Sequence, residues 1–440
     1  MKKLSIFLIL VLSLFLLCAC GDSDETDTAD STDKGASTVC ITFDSKGGTP
    51  VDPQNITKGG SLNTLPTPQK TGYQFEGWYA GESLWNGKSI SADTTVSAKW
   101  TVLEFEIQYI ITNGTNSEDN ISTYTVEDSF VLKAPTVTEE NNDFLGWYLV
   151  TDSGRTPIEK IEKGTTGKLV IEADIKYTPL EFTLLDNGTY QVSGLRDTSA
   201  TRIEIPERYN GKAVAAIAPD AFKDCQFTNF TIPGSIKTIG QGAFQGCTAL
   251  KKLTVKEGVL TIDPSAFWGC SALVTATLPS TVEAIGANAF SGCVKLELLN
   301  LSGAVTIGET AFNYCSALTS VTFGDKLEYI GKGAFCRTGI LAVNLPNSLK
   351  TIEESAFEKC EKLRVIKLGS GVEYIGSYAF KETAVESIIM PLSLTRTGSS
   401  LFEYTSIKKI YLVASEIPAG WAGNWCGTSG YELITGYQPK

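Results

Sequence analysis

The C-terminal half of the chain repeats its apolar positions with a fixed period. Phe222, Phe244, Phe267, Phe290, Phe312, Phe335, Phe357, Phe380 and Phe402 follow one another at steps of 22 or 23 residues. Ala precedes eight of the nine, and Ile stands five positions before the same eight, as in IGQGAF and IGANAF; the last, TGSSLF, departs in both respects. Three residues beyond each Phe comes Cys225, Cys247, Cys270, Cys293, Cys315, Thr338, Cys360, Thr383 or Thr405. An L-x-x-L-x-L pattern follows, seen as Leu250, Leu253, Val255 and as Leu363, Ile366, Leu368. One coil of this length cannot bury its own apolar face, whereas stacked coils bury a continuous one, so the pattern predicts a solenoid. Its alternating segment predicts one short strand per coil, the strands joining in a parallel ladder, with the Ala-Phe segment opposite on the convex side. Most coils one residue short lose it in a turn: Thr338-Gly-Ile340, Thr383-Ala-Val385, Thr405-Ser-Ile407 and Cys225-Gln-Phe227 replace Cys-x-x-Leu, a deletion that leaves the stacked positions in register.

The repeat needs ends. FTLLDNGTYQVSGL predicts a hairpin turning at Asp186-Asn-Gly188, followed by an incomplete coil, so the solenoid with its N-terminal cap is placed at 178–412. Beyond Leu412 the Ala-Phe unit stops, and Trp421, Trp425, Tyr431 and Tyr437 offer bulk to cover the open end, which makes 413–440 a C-terminal cap. Ahead of the solenoid, 39–100 and 101–177 each read as alternating strands separated by Gly, Pro and Asn turns. The fold expected is therefore multidomain and mainly β.

Residues 1–19 are a leader: Lys2 and Lys3 precede an apolar run from Leu4 to Leu17, shorter than the ~20 residues a spanning helix needs. Residues 20–38 contain GDSDETDTADSTDKGAS, with six carboxylates, one Lys and nothing large and apolar, so they read as a solvated, disordered acidic tether. Once Lys2 and Lys3 are taken from the 37 basic residues, against 49 acidic ones, the net charge moves from −12 to about −14, which disfavours nucleic acid as a partner. The chain has no histidine, which removes the usual general base near neutral pH, both His-containing triads and His-based metal sites. No carboxylate pair is set apart among the 49, so the reading is not an enzyme, and no cofactor or metal is called for. Cysteines 22 or 23 apart do not fit a zinc knuckle. Stacked coils would bring equivalent Cα atoms within the span of a disulfide, yet Thr replaces Cys in three coils, which favours a small inner site holding free thiols. Trp78, Tyr79, Trp85 and Trp147 would serve either as a sugar-stacking platform or as the core of modules too small to spare such residues, and the core is the stronger use.

Three resemblances sharpen this. The pattern I-x-x-x-A-F-x-x-C-x-x-L-x-x-[LV]-x-L, sustained over about 178–437, resembles the BspA-like leucine-rich repeats of Treponema and Bacteroides surface antigens. It departs from the general leucine-rich pattern in lacking the Asn or Cys that would follow the strand, so the inner ladder of Cys and Thr takes that place. Residues 39–100, with ITFDSKGG, KTGYQFEGWY and VSAKW, resemble the Listeria-Bacteroides repeat, also called the internalin B-repeat, and Phe144-Leu-Gly146-Trp147-Tyr148 marks 103–177 as similar to a diverged second copy. That family implies small β-grasp-like modules with one helix at most. Leu17-Cys18-Ala19-Cys20 resembles the lipobox of bacterial lipoproteins, which implies lipid attachment at Cys20 and a membrane partner through that lipid.

Similar repeats imply a surface protein that binds host matrix proteins or other bacteria. The function expected is a lipid-anchored, extracytoplasmic adhesin or binding protein whose partner is an extracellular protein or glycan, with the two modules as spacer. The alternatives are a structural envelope protein without a soluble ligand and, third, a cell-wall hydrolase. In each strand the residue between the last two apolar positions points out of the core, giving Thr231, Thr254, Thr277, Asn300, Thr322, Asn344, Lys367, Ile389 and Tyr411. Two positions earlier run Asn229, Lys252, Thr275, Leu298, Ser320, Ala342, Val365, Ser387 and Lys409. The face grows longer, more apolar and more cationic toward its end, so Lys367, Ile389, Lys409 and Tyr411 are the candidate ligand-binding residues.

Overall fold

The computed structural model describes residues 37–139, 141–200 and 202–439, which leaves the leader, most of the tether and Cys20 outside the described residues. The chain divides into two compact units, one ending at Val102 and one beginning at Leu103. The first is a five-stranded sheet in the order Gln54–Thr57, Thr38–Asp44, Thr94–Val102, Tyr73–Ala80, Ser83–Leu84. Its central pair, Thr38–Asp44 with Thr94–Val102, is parallel; the other pairings are antiparallel. Alternation does what a half-buried strand requires, sending Val39, Ile41 and Phe43 inward while their neighbours face out. Trp78 is wholly buried against Phe43 and Phe75, with ring centroids at 4.8 and 5.5 Å, and its indole N–H donates to the Pro66 carbonyl at 2.8 Å. A buried Trp needs that partner.

The second unit opens with the same sheet. Thr123–Tyr124, Phe105–Ile110, Leu169–Tyr177, Asn142–Thr151 and Gly154–Ile158 lie in the corresponding order, again with one parallel pair at the centre. The correspondence extends to detail. Each sheet has a register shift just before its Trp, between Phe75 and Gly77 in one and Phe144 and Gly146 in the other. In each, Phe and Trp rings sit 5.5 Å apart, and Trp147 donates to the Lys133 carbonyl at 3.0 Å as Trp78 does to Pro66. Trp78 and Trp147 are therefore core residues, and neither module contains a helix among the described residues. Within this unit the sheet is tied to the solenoid's first turn. Arg196 donates to the Thr178 and Asn141 carbonyls at 2.8 and 3.1 Å and pairs with the Asp143 carboxylate, while the Asn210 and Gly211 amides donate to the Phe144 and Leu145 carbonyls at 2.8 and 3.0 Å.

The solenoid has two strand ladders per coil where the sequence pattern predicted one. The expected strands form three runs: Asn229–Ile232 to Ser320–Phe323, then Ala342–Asn344 with Val365–Lys367, then Ser387–Met390 with Lys409–Leu412 and Glu432–Ile434. Both breaks fall where a coil with the longer Cys-x-x-Leu turn is followed by a shortened one, at Thr338 and at Thr383. After each short turn the strand no longer pairs in register with that of the coil before, although at the first break the Leu341 amide still donates to the Thr319 carbonyl at 3.2 Å. The unbroken ladder is the second, made of two-residue strands such as Thr238–Ile239, Thr261–Ile262 and Tyr374–Ile375, and it begins on the hairpin Leu180–Leu184 with Tyr190–Leu195. Each Ile of this ladder is buried. At the next position six coils place a glycine in close stacking: a Cβ at Gly240, Gly376 or Gly398 would sit 2.5, 2.3 and 2.2 Å from backbone of the preceding coil, whereas Ala218, Asp263 and Glu353 stand there in the other three.

All nine phenylalanines of the repeat are fully buried and stack ring on ring, with centroids 5.0–5.8 Å apart along the whole column. Beside them the cysteines are free thiols, and those of the column from Cys247 to Cys360 donate to the carbonyl of the preceding coil's Phe, as Cys247 to Phe222 at 3.0 Å and Cys315 to Phe290 at 3.2 Å. Thr338, Thr383 and Thr405 bond instead to the Phe carbonyl of their own coil at 2.9, 2.8 and 2.7 Å. Burial pushes the Cys315 and Cys360 thiols up to about 12, so they are protonated and unreactive. The stack ends at the cap: the Leu401 and Phe402 amides donate to Trp425 and Cys426, but the residue standing where the next Phe would be is Gly427, and Trp421 and Trp425 close the end instead.

Candidate binding site on the strand face

The solenoid core fixes which side chains of each strand leave it. In Asn229–Ile232, Ser387–Met390 and their counterparts exposed and buried residues alternate, so the two outward columns stand on one face as the pleat requires. Register aligns them across coils: Asn229, Lys252, Thr275, Leu298 and Ser320 form one continuous row, and Thr231, Thr254 and Thr277 the row beside it. The N-terminal end of this face opens into a cleft of about 650 Å³, whose lining includes Tyr148, Arg155, Asp174, Arg202, Asn229 and Thr231. Arg155 is held there over the Tyr148 ring at 4.6 Å and by Glu172 and Asp174 at 3.2 and 3.5 Å.

At the other end lie the four residues singled out by the sequence. Ile389 and Tyr411 are register partners on adjacent strands, and Lys409 lies beside Ser387, two positions along. Lys367 is exposed and pairs in register with Asn344, in the run before, so the ladder break at Thr383 separates its strand from the other three residues. Ile389 is 40% exposed, and with Leu341 at 51% and Val365 at 47% it forms an apolar diagonal across three coils. Leu341 lies outside both outward columns. Its signal was present in the sequence as a large apolar residue at the position that holds Thr228 or Lys251 in earlier coils.

The cap changes the local chemistry. Its strand Glu432–Ile434 continues the ladder, setting Glu432 beside Lys409 and Ile434 beside Tyr411. Lys409 pairs with the Glu432 carboxylate at 3.2 Å, and that bond raises the Lys409 pKa. The Tyr411 ring meets Tyr437 at 4.7 Å and is half-buried. The apolar pair Leu433-Ile434 after Gly430 is the trace of this strand in the sequence. A face of this kind, with apolar side chains ringed by single charges and backed by a rigid ladder, suits binding to a macromolecular surface.

Comparison with known proteins agrees with the geometry. Residues 215–338 and 305–417 match the BspA type leucine rich repeat region, in six copies, and residues 40–103 match the Listeria-Bacteroides repeat domain. Two proteins of Evansella cellulosilytica are similar in part: one named as a Gly-rich membrane protein is 28% identical over 38% of this chain and 19% of its own length, and one named as a membrane protein is 30% identical over 24% and 17%. The chain thus spans under a fifth of the length of these curated relatives. Among solved structures, a leucine-rich repeat protein of Bacteroides ovatus is 28% identical, with 60% of this chain and 71% of that one covered at a TM-score of 0.49. The Treponema pallidum leucine rich repeat protein is 22% identical, with 51% and 86% covered at 0.36. Residues 40–103, a sheet around a buried Gly-Trp motif, therefore form a Listeria-Bacteroides repeat domain, and residues 215–417, stacked on an Ile and a Phe column, are a leucine-rich repeat region of the BspA type.

Proposed function

We propose that this chain is a surface-exposed, lipid-anchored binding protein or adhesin of the bacterial envelope, which presents the strand face of its solenoid to an extracellular protein or glycan. The observation that carries this is the change along the face. Its first three coils expose mainly small polar residues, Lys252 apart, and coil four exposes one large apolar residue, Leu298, whereas coils six to eight together expose Leu341, Val365, Lys367 and Ile389, which the core does not require there. The names of the Evansella relatives, both membrane proteins, support a place at the membrane. Cys20 is the lipid attachment site of this reading, the two sheet modules are the spacer, and no residue is assigned a catalytic role.

The test is retention of partners from host matrix extracts, other bacteria and wall material on immobilised protein. Changing Lys367, Lys409 and Tyr411 together to Ala weakens capture of an acidic or glycan partner, while Thr254→Ala with Thr277→Ala leaves it unchanged. Equal capture by both folded variants would place the site elsewhere, and no capture by the unaltered chain would remove the binding reading. The anchor is tested separately: Cys20→Ala abolishes incorporation of labelled acyl chains and entry into the detergent phase, and a variant that still partitions refutes the assignment.

A further inference from the structure

Each coil carries two residues at positive φ on its Ala-Phe edge, one two positions before the Phe and one two positions after. In the first four coils the later position holds Asp224, Gly246, Gly269 and Gly292, residue types that accept this conformation. From the fifth coil onward it holds long side chains instead: Tyr314, Arg337, Lys359, Glu382 and Tyr404, at φ of 55–61°. Tyr378, also at 61°, is the one bulky residue in the earlier position. A tyrosine is a strained occupant of the left-handed region, and packing does not return the cost, because Tyr404 is 74% exposed and Tyr314 51%.

The rings are held in place by charge. Lys381 lies 5.0 Å from the Tyr378 ring and 5.5 Å from that of Tyr404, while Arg337 lies 5.1 Å from Tyr314. Lys381 is also paired with Glu403 at 3.2 Å, and Lys359 with Glu382 at 3.7 Å. Most cations of this edge thus have a carboxylate, so the edge has little net field with which to attract an ionic ligand. What it offers is exposed aromatic surface in coils five, eight and nine, with amine and carboxylate groups at the rim and in the coils between. Tyr314 and Tyr404 are four coils apart, about 20 Å at roughly 5 Å per coil.

We infer that the Ala-Phe edge of coils five to nine is a second binding site, distinct from the strand face, for an extended neutral polysaccharide whose pyranose rings lay their apolar C–H faces on Tyr314, Tyr378 and Tyr404. Hydroxyls of such a chain bond to Glu403, Glu382 and Lys381 at its flanks. The spacing of the rings requires several sugar units to be engaged at once, so a disaccharide is too short to reach from Tyr314 to Tyr404.

Calorimetric titration of the full chain with cellohexaose and chitohexaose, and with cellobiose and chitobiose as short controls, tests this. At least one hexaose binds, at least tenfold more tightly than its disaccharide. Tyr378→Ala with Tyr404→Ala lowers that affinity at least tenfold, and Tyr404→Trp retains it. Tyr404→Gly, which relieves the backbone strain, also weakens binding while leaving the unfolding temperature unchanged or higher, so that loss of binding is not loss of fold. The inference is overturned if neither hexaose binds, if hexaose and disaccharide bind alike, or if the tyrosine variants bind as the unaltered chain does. Loss of a captured protein in these variants, without any hexaose binding, would likewise overturn it and make the edge a protein interface.

Discussion

Removal of one ring from the phenylalanine column tests the energetic basis of the fold. Phe312 is fully buried and stacked on both sides, on Phe290 at 5.4 Å with 10° between planes and on Phe335 at 5.2 Å with 11°. Phe402 is as buried but stacks only on Phe380, at 5.7 Å. Emptying a packed aromatic site costs about 3–5 kcal/mol, and an aromatic pair contributes about 0.5–1.5 kcal/mol beyond its area. Phe312→Ala therefore costs about 4–5 kcal/mol and Phe402→Ala about 1 kcal/mol less, since one ring contact rather than two is lost. The form of the transition differs too. In a structure coupled only between neighbours, a weak central coil separates two folded blocks, whereas a weak terminal coil frays. Urea unfolding followed by circular dichroism should show a broadened transition with reduced slope for Phe312→Ala, and a shifted midpoint at near-normal slope for Phe402→Ala. If both variants cost under about 1 kcal/mol, or if Phe402→Ala is the costlier, the column does not carry the stacking energy assigned to it.

The thiol ladder gives a pH dependence of defined sign. In the unfolded chain Cys315 and Cys360 titrate from 9.0, while in the folded protein burial holds them to about 12, so above pH 9 the unfolded state releases protons that the folded state keeps, and stability falls between pH 9 and 12. Each such thiol contributes a loss of about 1.4 kcal/mol per pH unit in that window, read as a lower urea midpoint at pH 10 than at pH 8, and maleimide at pH 8 modifies these residues only after unfolding; rapid labelling of the native protein would refute their burial. At the candidate site, Glu432→Ala frees Lys409 from its 3.2 Å partner and strengthens binding of an acidic partner, most at low salt; unchanged affinity would show that Lys409 takes no part.

The Phe column, the inward Ile and Leu positions and the outward columns were legible in the sequence because a packed period admits one phase only. The second ladder was not. Two residues such as Thr238–Ile239 are too few to display the alternation by which a strand is recognised, although the Ile of each pair was visible as a repeated position. The breaks in the first ladder follow from shortened turns that were seen, yet whether a shorter turn displaces the strand depends on the turn of the coil before it. The positive φ values left a trace in the Gly, Asn, Asp and Ser residues flanking Ala-Phe in the early coils, which the later Tyr, Arg and Lys residues obscure. Of the candidate site, the side chains were legible from the pleat, but the pairing of Lys409 with Glu432 was not, because some twenty non-periodic residues separate their strands.

The two kinds of position differ in what constrains them, and that difference bears on function. A core residue such as Phe312 holds its neighbours in place at a cost of several kcal/mol, and the column is the same in every coil. An exposed residue on a strand is usually replaceable within about 0.5 kcal/mol, so stability leaves it free to be Thr in every coil or different in each. Along the strand face Thr231, Thr254 and Thr277 suit a strand and need no further reason, but Lys367, Ile389 and Tyr411 occupy the same column without being required by it. The Ala-Phe edge changes character in the same half of the solenoid, where strained tyrosines replace glycines at positions that stability would rather keep small. Two faces that depart from the repeat toward the same end, in side chains the core does not select, are the ground on which both proposed sites rest.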